Sequence, residues 1–198
     1  MNRTIALFVA LVILLAHCLA IHTDGQGHFA FPYDQAYVPL RLAHNLVYEG
    51  QLRWNPGMAA WESYGSPLWI AIAALAERIC ATRIGDQMQI SVNVIVQATS
   101  VLAALLTVIL TAQVRGDRAA GLIAPLLLVT CGCFAAAAAN GIETTLFALF
   151  VTASFWAFEG RLGNRLGLSM TLLCLTRPEG AYVVAGLLLL RFIGFRRG

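Results

Sequence analysis

The side chains able to do chemistry in this chain are few and lie in widely separated segments. Asp34 stands in Tyr33-Asp34-Gln35-Ala36-Tyr37, and Arg41 follows at a spacing that puts it on the same face of a helix. Glu62 opens Glu62-Ser63-Tyr64-Gly65-Ser66-Pro67, and Glu143 follows a turn in Asn140-Gly141-Ile142-Glu143-Thr144. Arg177 and Glu179 flank Pro178 in Leu175-Thr176-Arg177-Pro178-Glu179-Gly180. A carboxylate beside a hydroxyl can take its proton. A guanidinium meets a phosphate through two parallel hydrogen bonds. Each residue also has an ordinary structural use: Asp34 as a helix N-cap, Arg41 in a surface salt bridge or as a snorkelling side chain, Glu143 in the first turn of a helix. Arg177 and Glu179 suit a mutual pair at a hairpin tip. His44 is expected to pack on a helix face and Glu62 to position its loop. Cys131 and Cys133 form a Cys-x-Cys with no His or further Cys nearby, so small buried side chains are expected rather than metal ligands.

The elements that must position these groups are apolar helices. The chain has 198 residues, 59% of them apolar or aromatic and only 12% charged, about half the roughly 25% of soluble domains. Mean hydropathy is +0.74. This argues against a soluble enzyme, a disordered segment or a nucleic-acid reader. All thirteen basic residues are Arg and the net charge is only +3, so no basic patch suits DNA or RNA. The expected fold is all-α: one polytopic membrane domain over 1–198, with a first span at 4–21, a long outer loop carrying juxtamembrane helices at 22–88, and five further spans in 89–198. Ile5 to Ile21 is long enough to cross a bilayer. Small residues near its end could form a leader cleavage site, but the apolar runs that follow favour an anchor. Within the loop, Ala36 to Tyr48 has the pattern of an amphipathic surface helix. Trp54, Trp61, Tyr64 and Trp69 are expected as interfacial anchors.

The later apolar runs are Ile90 to Ala112, Ala119 to Ala139, Ile142 to Phe158, Leu166 to Thr176 and Ala181 to Phe195. Pro67 to Cys80 is apolar but covers only about 21 Å of a roughly 30 Å core. If it does not span, Arg3, Arg115, Arg118, Arg161, Arg165, Arg196 and Arg197 lie inside, and Arg41, Arg53, Arg78, Arg83 and Arg177 lie outside. If it does span, the majority falls outside. The excess of positive charge on cytoplasmic loops favours the first arrangement, with both termini inside and six crossings. Asp34, Glu62, Glu143 and Glu179 then share the outer side, four acids from separate segments on one face.

These segments resemble the first outer loop of the GT-C glycosyltransferases, polytopic enzymes that take a sugar from a polyprenyl-phosphate donor. The likeness is to bacterial arabinofuranosyltransferase-like and mannosyltransferase-like members. It rests on Tyr33 to Tyr37, Arg41, His44-Asn45-Leu46, Trp54-Asn55-Pro56-Gly57, Glu62 and Pro67-Leu68-Trp69, and on the two later segments around Glu143 and Arg177. Gln35 departs from the family's second Asp, and Leu42 from its usual Tyr. The resemblance implies transfer to a cell-envelope glycan or lipid at the outer face of the cytoplasmic membrane. It implies Asp34 as the base, and Arg41, Glu62, Glu143, Arg177 and Glu179 as substrate-binding residues. It also implies a divalent cation, Mg or Mn, between Asp34 and Glu143. The family runs to more spans than this chain, so the resemblance covers the front half of such an enzyme. A second chain supplying the remaining spans, or an inactive partner subunit, is the alternative. A transporter fits less well, because no internal repeat is present.

Overall fold

The computed structural model describes residues 3–22, 31, 33–55, 66–81, 86–113, 120–160 and 162–195. Every regular element among them is helical, as the composition requires. Helix α1 is Arg3–His22, α2 Tyr37–Tyr48, α3 Pro67–Cys80, α4 Asp86–Thr111, α5 Ala120–Thr130, α6 Gly132–Ala139, α7 Thr144–Glu159, α8 Gly163–Thr176 and α9 Gly180–Phe195. A single 3-10 turn, Asp34–Ala36, leads into α2.

The start of α3 is written in its sequence. The hydroxyl of Ser66 accepts from the Trp69 N–H at 3.2 Å, and Pro67 occupies the first turn, where its missing N–H costs nothing. At α2 the outcome differs from expectation. Its N-cap position is Ala36, no side chain caps it, and Asp34 sits in the preceding 3-10 turn rather than at the cap. The stretch expected as one span at Ala119 to Ala139 is two helices bent by 65°. Cys131 takes an extended conformation between them. Thr130 turns its hydroxyl back onto the Leu126 and Leu127 carbonyls, a local bond that competes with continuing the helix. The bend leaves Cys131 and Cys133 exposed, not buried as expected.

Helix α4 is the centre of the packing and belongs to two apolar cores. Val92, Val96 and Ala103 join Leu40, Leu42, Trp69, Ile70, Ala73 and Leu146 in one, built from α2, α3, α4 and α7. Ala104 and Val108 join Ala10, Leu14, Val129, Ala135 and Ala138 in the other, built from α1, α4, α5 and α6. A third, smaller cluster of Ala157, Leu166, Met170 and Leu187 seals α7, α8 and α9. Trp69, expected as an interfacial anchor, is instead wholly buried, and its indole N–H donates to the Gly141 carbonyl at 3.3 Å.

Many large apolar side chains lie on the outside. Leu188, Leu189, Leu190, Phe192 and Ile193 of α9 are exposed, as are Phe8, Val12, Leu15 and Leu19 of α1. Among the described residues one helix, Ile90–Thr111, is long and apolar enough by itself to cross a membrane. The bent pair Gly121–Thr130 and Gly132–Ala139 passes that test only when taken together. Thr4–Leu19, Thr144–Glu159 and Gly180–Gly194 are apolar but shorter.

Candidate functional site

Two turns bring the charged groups together. The first is Asn140 to Glu143, between α6 and α7. Gly141 has φ +67°, and a Cβ there would overlap the Phe31 ring, so both conformation and space demand glycine. The second is Arg177 to Glu179, between α8 and α9. Arg177 is extended, as expected of a residue before proline. Gly180 lies so close to the Leu173 carbonyl that a Cβ would stand 2.7 Å from its oxygen.

These turns place Glu143 and Arg177 side by side across 34 residues of sequence. Arg177 Nε donates to Glu143 Oε1 at 2.9 Å and its Nη2 donates to Thr144 Oγ1 at 3.1 Å. The guanidinium also lies 5.8 Å from the centre of the Phe147 ring. Both side chains are partly exposed, Arg177 at 34% and Glu143 at 20%, and they open onto a cavity of about 230 Å³. Its other walls are Gln35 from the 3-10 turn, Val38 and Pro39 from the start of α2, Ser66 from the cap of α3, and Ile142. That volume lies below the roughly 300–1,000 Å³ of whole-ligand pockets. It suits a headgroup such as a phosphate or part of one sugar.

Four of the segments singled out in the sequence thus meet at one place, but not every candidate residue lines it. Glu143 and Arg177 do. Asp34 does not: it is exposed, one residue from Gln35 in the cavity wall. Glu179 is exposed on its turn, and Arg177 pairs with Glu143 rather than with it. Arg41 faces elsewhere. Its Nε donates to the Trp54 carbonyl at 3.1 Å and its Nη2 to Asn55 Oδ1 at 2.8 Å, with the guanidinium 4.6 Å above the Trp54 ring. Asn45, buried beside it, donates to the carbonyls of Arg53 and Trp54. Arg41 and Asn45 therefore fasten the chain after α2. Glu62, Trp61 and Tyr64 lie outside the described residues.

A divalent cation at Glu143 would meet a carboxylate that is already engaged. Arg177 already holds the Glu143 carboxylate, and no group of three or more metal-ligating His, Cys, Asp or Glu exists among the described residues. A hard cation needs several oxygen ligands, and its charge would compete with the guanidinium.

Sequence reasoning missed three participants. Ser66 and Thr144 are too common in helix starts to be singled out. Glu77 of α3 is 2% exposed and faces His44 of α2, with Nδ1 to Oε1 at 3.6 Å. Lying within an apolar helix beside Arg78, it carries no motif. No family model matches the chain, and no curated protein or solved structure matches it either.

Proposed function

We propose that this chain is a multi-pass protein of the cytoplasmic membrane with a GT-C-like transfer site at the outer face. On this reading a sugar passes from a polyprenyl-phosphate donor to a cell-envelope acceptor. The observation that carries the reading is the convergence of the segments around Gln35, Ser66, Glu143 and Arg177 on one cavity. Segments so far apart in sequence have little reason to share an ion pair at an open cavity unless they hold a charged ligand. In this reading Arg177 meets the donor phosphate, with Glu143 orienting the guanidinium until the anion arrives. Asp34, at the cavity's edge in sequence, takes the proton of the acceptor hydroxyl as its oxygen attacks the anomeric carbon and the phosphate leaves with the bonding pair.

The membrane part of the proposal rests on the exterior. Large apolar side chains crowd the exposed faces of α1 and α9, the kind of surface that marks a membrane or protein contact. Six crossings follow if α1, α4, the α5–α6 pair, α7, α8 and α9 each cross, with α3 lying at the outer side and both termini inside. A reporter fused after Arg118 then reads cytoplasmic. An external reading reverses the orientation and removes the site from the outer face.

The test of function is transfer of a labelled sugar from a polyprenyl-phosphate donor in membranes containing the full chain. Transfer supports the reading. Donor binding without transfer supports the alternative, an inactive partner subunit, which Gln35 favours because an amide stands in the cavity wall where the resembled family carries a second Asp. Neither binding nor transfer refutes both.

A further inference from the structure

Helices α2 and α3 meet a second time away from the cavity, at His44 and Glu77. The Glu77 side chain is 2% exposed, whereas His44 is 54% exposed and packs its ring on Tyr48 at 4.7 Å between centres. Only Glu77 Oε1 approaches the imidazole, and Oε2 has no hydrogen-bond partner. A buried carboxylate in this position is costly if ionised and unpaired, and such groups neutralise instead. The other neighbours of α3 offer no counter-charge. The buried polar residues of α4, Asn93, Gln97, Ser100 and Thr107, are all uncharged. Arg165 of α8 lies over Trp156, Arg177 is engaged by Glu143, and Arg78 beside Glu77 is exposed. Among the described residues, His44 is the one charge found acting on Glu77.

We propose that His44 and Glu77 hold a single proton between them, and that this shared proton clasps α2 to α3 until alkaline conditions remove it. Two arrangements carry the same proton: imidazolium with carboxylate, and neutral imidazole with carboxylic acid. The pair is net neutral in both, and at 3.6 Å its partners meet as neighbouring charges rather than through a hydrogen bond. Loss of the proton leaves a buried carboxylate beside a neutral ring.

The direction of the effect follows from the burial. Desolvation pushes the Glu77 carboxyl above its ordinary value, and the charge of His44 offsets this only in part. A carboxyl raised by folding contributes stability that is fully present below its unfolded value and lost as pH rises through the raised one. The clasp therefore fails on the alkaline side. Its failure reaches the cavity, because α2 supplies Val38 and Pro39 to the wall, the 3-10 turn leading into it supplies Gln35, and the cap of α3 supplies Ser66. None of this depends on what the cavity binds.

The test uses the full chain in detergent micelles and the apolar reagent dicyclohexylcarbodiimide. A protonated carboxyl adds across its C=N bond, and the acyl group then shifts to nitrogen with nothing lost, leaving a stable mass addition. Glu77 should label at about pH 6, with labelling falling roughly tenfold per pH unit above its raised pKa, while the exposed Glu49 and Glu179 label far less. In His44→Gln, labelling should extend to higher pH, because the charge that favours the carboxylate is gone. Thermal unfolding gives an independent reading: the wild-type midpoint should drop on the alkaline side and that of Glu77→Gln should not. An unlabelled Glu77 at acid pH, labelling that ignores pH, or an undiminished alkaline drop in Glu77→Gln overturns the proposal. The labelling arm needs no variant to fold.

Discussion

Two acid–base pairs, one between turns at the cavity beside the starts of α2 and α3 and one between those two helices further along, are built in opposite ways. At the cavity end the base is the planar guanidinium of Arg177. Its partner Glu143 is partly exposed, accepts at 2.9 Å, and shares the guanidinium with Thr144. At the far end the base is an imidazole, which can lose its proton, and its partner Glu77 is buried with one oxygen unmatched. Charge at the first end is permanent and open to a ligand. Charge at the second end is conditional and closed to one. Burial and the choice of base, not the mere presence of an ion pair, separate a site that can exchange partners from a contact that can only make or break.

The largest expected effect is at the cavity end. If Asp34 is the base of the proposed transfer, Asp34→Asn should lower sugar transfer by about 10²–10⁴-fold, the usual worth of general-base catalysis. Stability should hardly move, since Asp34 is exposed and caps nothing. Asp34→Ala should then fold as well as Asp34→Asn, whereas a true N-cap would cost about 1 kcal/mol more on losing its oxygen. Full transfer by Asp34→Asn, measured in membranes with expression checked in parallel, removes Asp34 from the mechanism and leaves Glu143 as the acid nearest the cavity.

The next effect sets the two pairs directly against each other. Arg177→Gln leaves Glu143 ionised with no cation, and hydrogen bonds to charged groups are worth about 1.5–3 kcal/mol. The upper end of that range is discounted because both side chains are partly exposed. Arg177→Lys restores the charge but not the fork that reaches both Glu143 and Thr144, so it should recover only part of the loss. His44→Gln should cost less at neutral pH, because Glu77 can answer by keeping its proton. Denaturant unfolding of the three variants in micelles orders them. If His44→Gln costs as much as Arg177→Gln at neutral pH, Glu77 is held ionised and the contrast between the two ends fails.

Much of the framework was legible because its signals are local. Ser66-Pro67 marks the start of α3, and its apolar run ends at Cys80 as expected. The amphipathic pattern of 36–48 marks α2. What failed was everything that depends on which face meets what. Trp69 beside an apolar run looks the same whether it anchors at an interface or fills a core, and only the approach of Gly141 decides. The spacing of Asp34 and Arg41 suggests one helix face, but Asp34 lies in a 3-10 turn before α2, and Arg41 meets the backbone at Trp54. Arg177 has Glu179 as its sequence neighbour, yet its extended backbone turns it toward Glu143, 34 residues away. The bend at Cys131 hides in a run with uniform hydropathy, and Glu77 hides in a helix whose other buried positions are apolar or small.

The smallest expected effect tests whether Arg41 belongs with the permanent charge at the cavity or stands apart as a fastener. Its guanidinium is exposed and doubly bonded to Trp54 and Asn55, with the Trp54 ring beneath it. An exposed cation over an aromatic ring is worth about 0.5–1 kcal/mol. Asn45 independently holds the Arg53 and Trp54 carbonyls, so Arg41→Gln should cost no more than about 1 kcal/mol. Removing Asn45 as well should cost more than the sum of the two single changes, since each alone leaves the other still holding Trp54. A fastener has no reason to change how donor binding responds to salt. A phosphate ligand does, because removing an exposed cation from an anion site flattens the loss of affinity with ionic strength. Binding of the polyprenyl-phosphate donor, titrated at low and high salt for wild type and Arg41→Gln, therefore separates the roles. Parallel salt curves keep Arg41 with the loop. A flattened curve in the variant returns it to the charge that Arg177 presents.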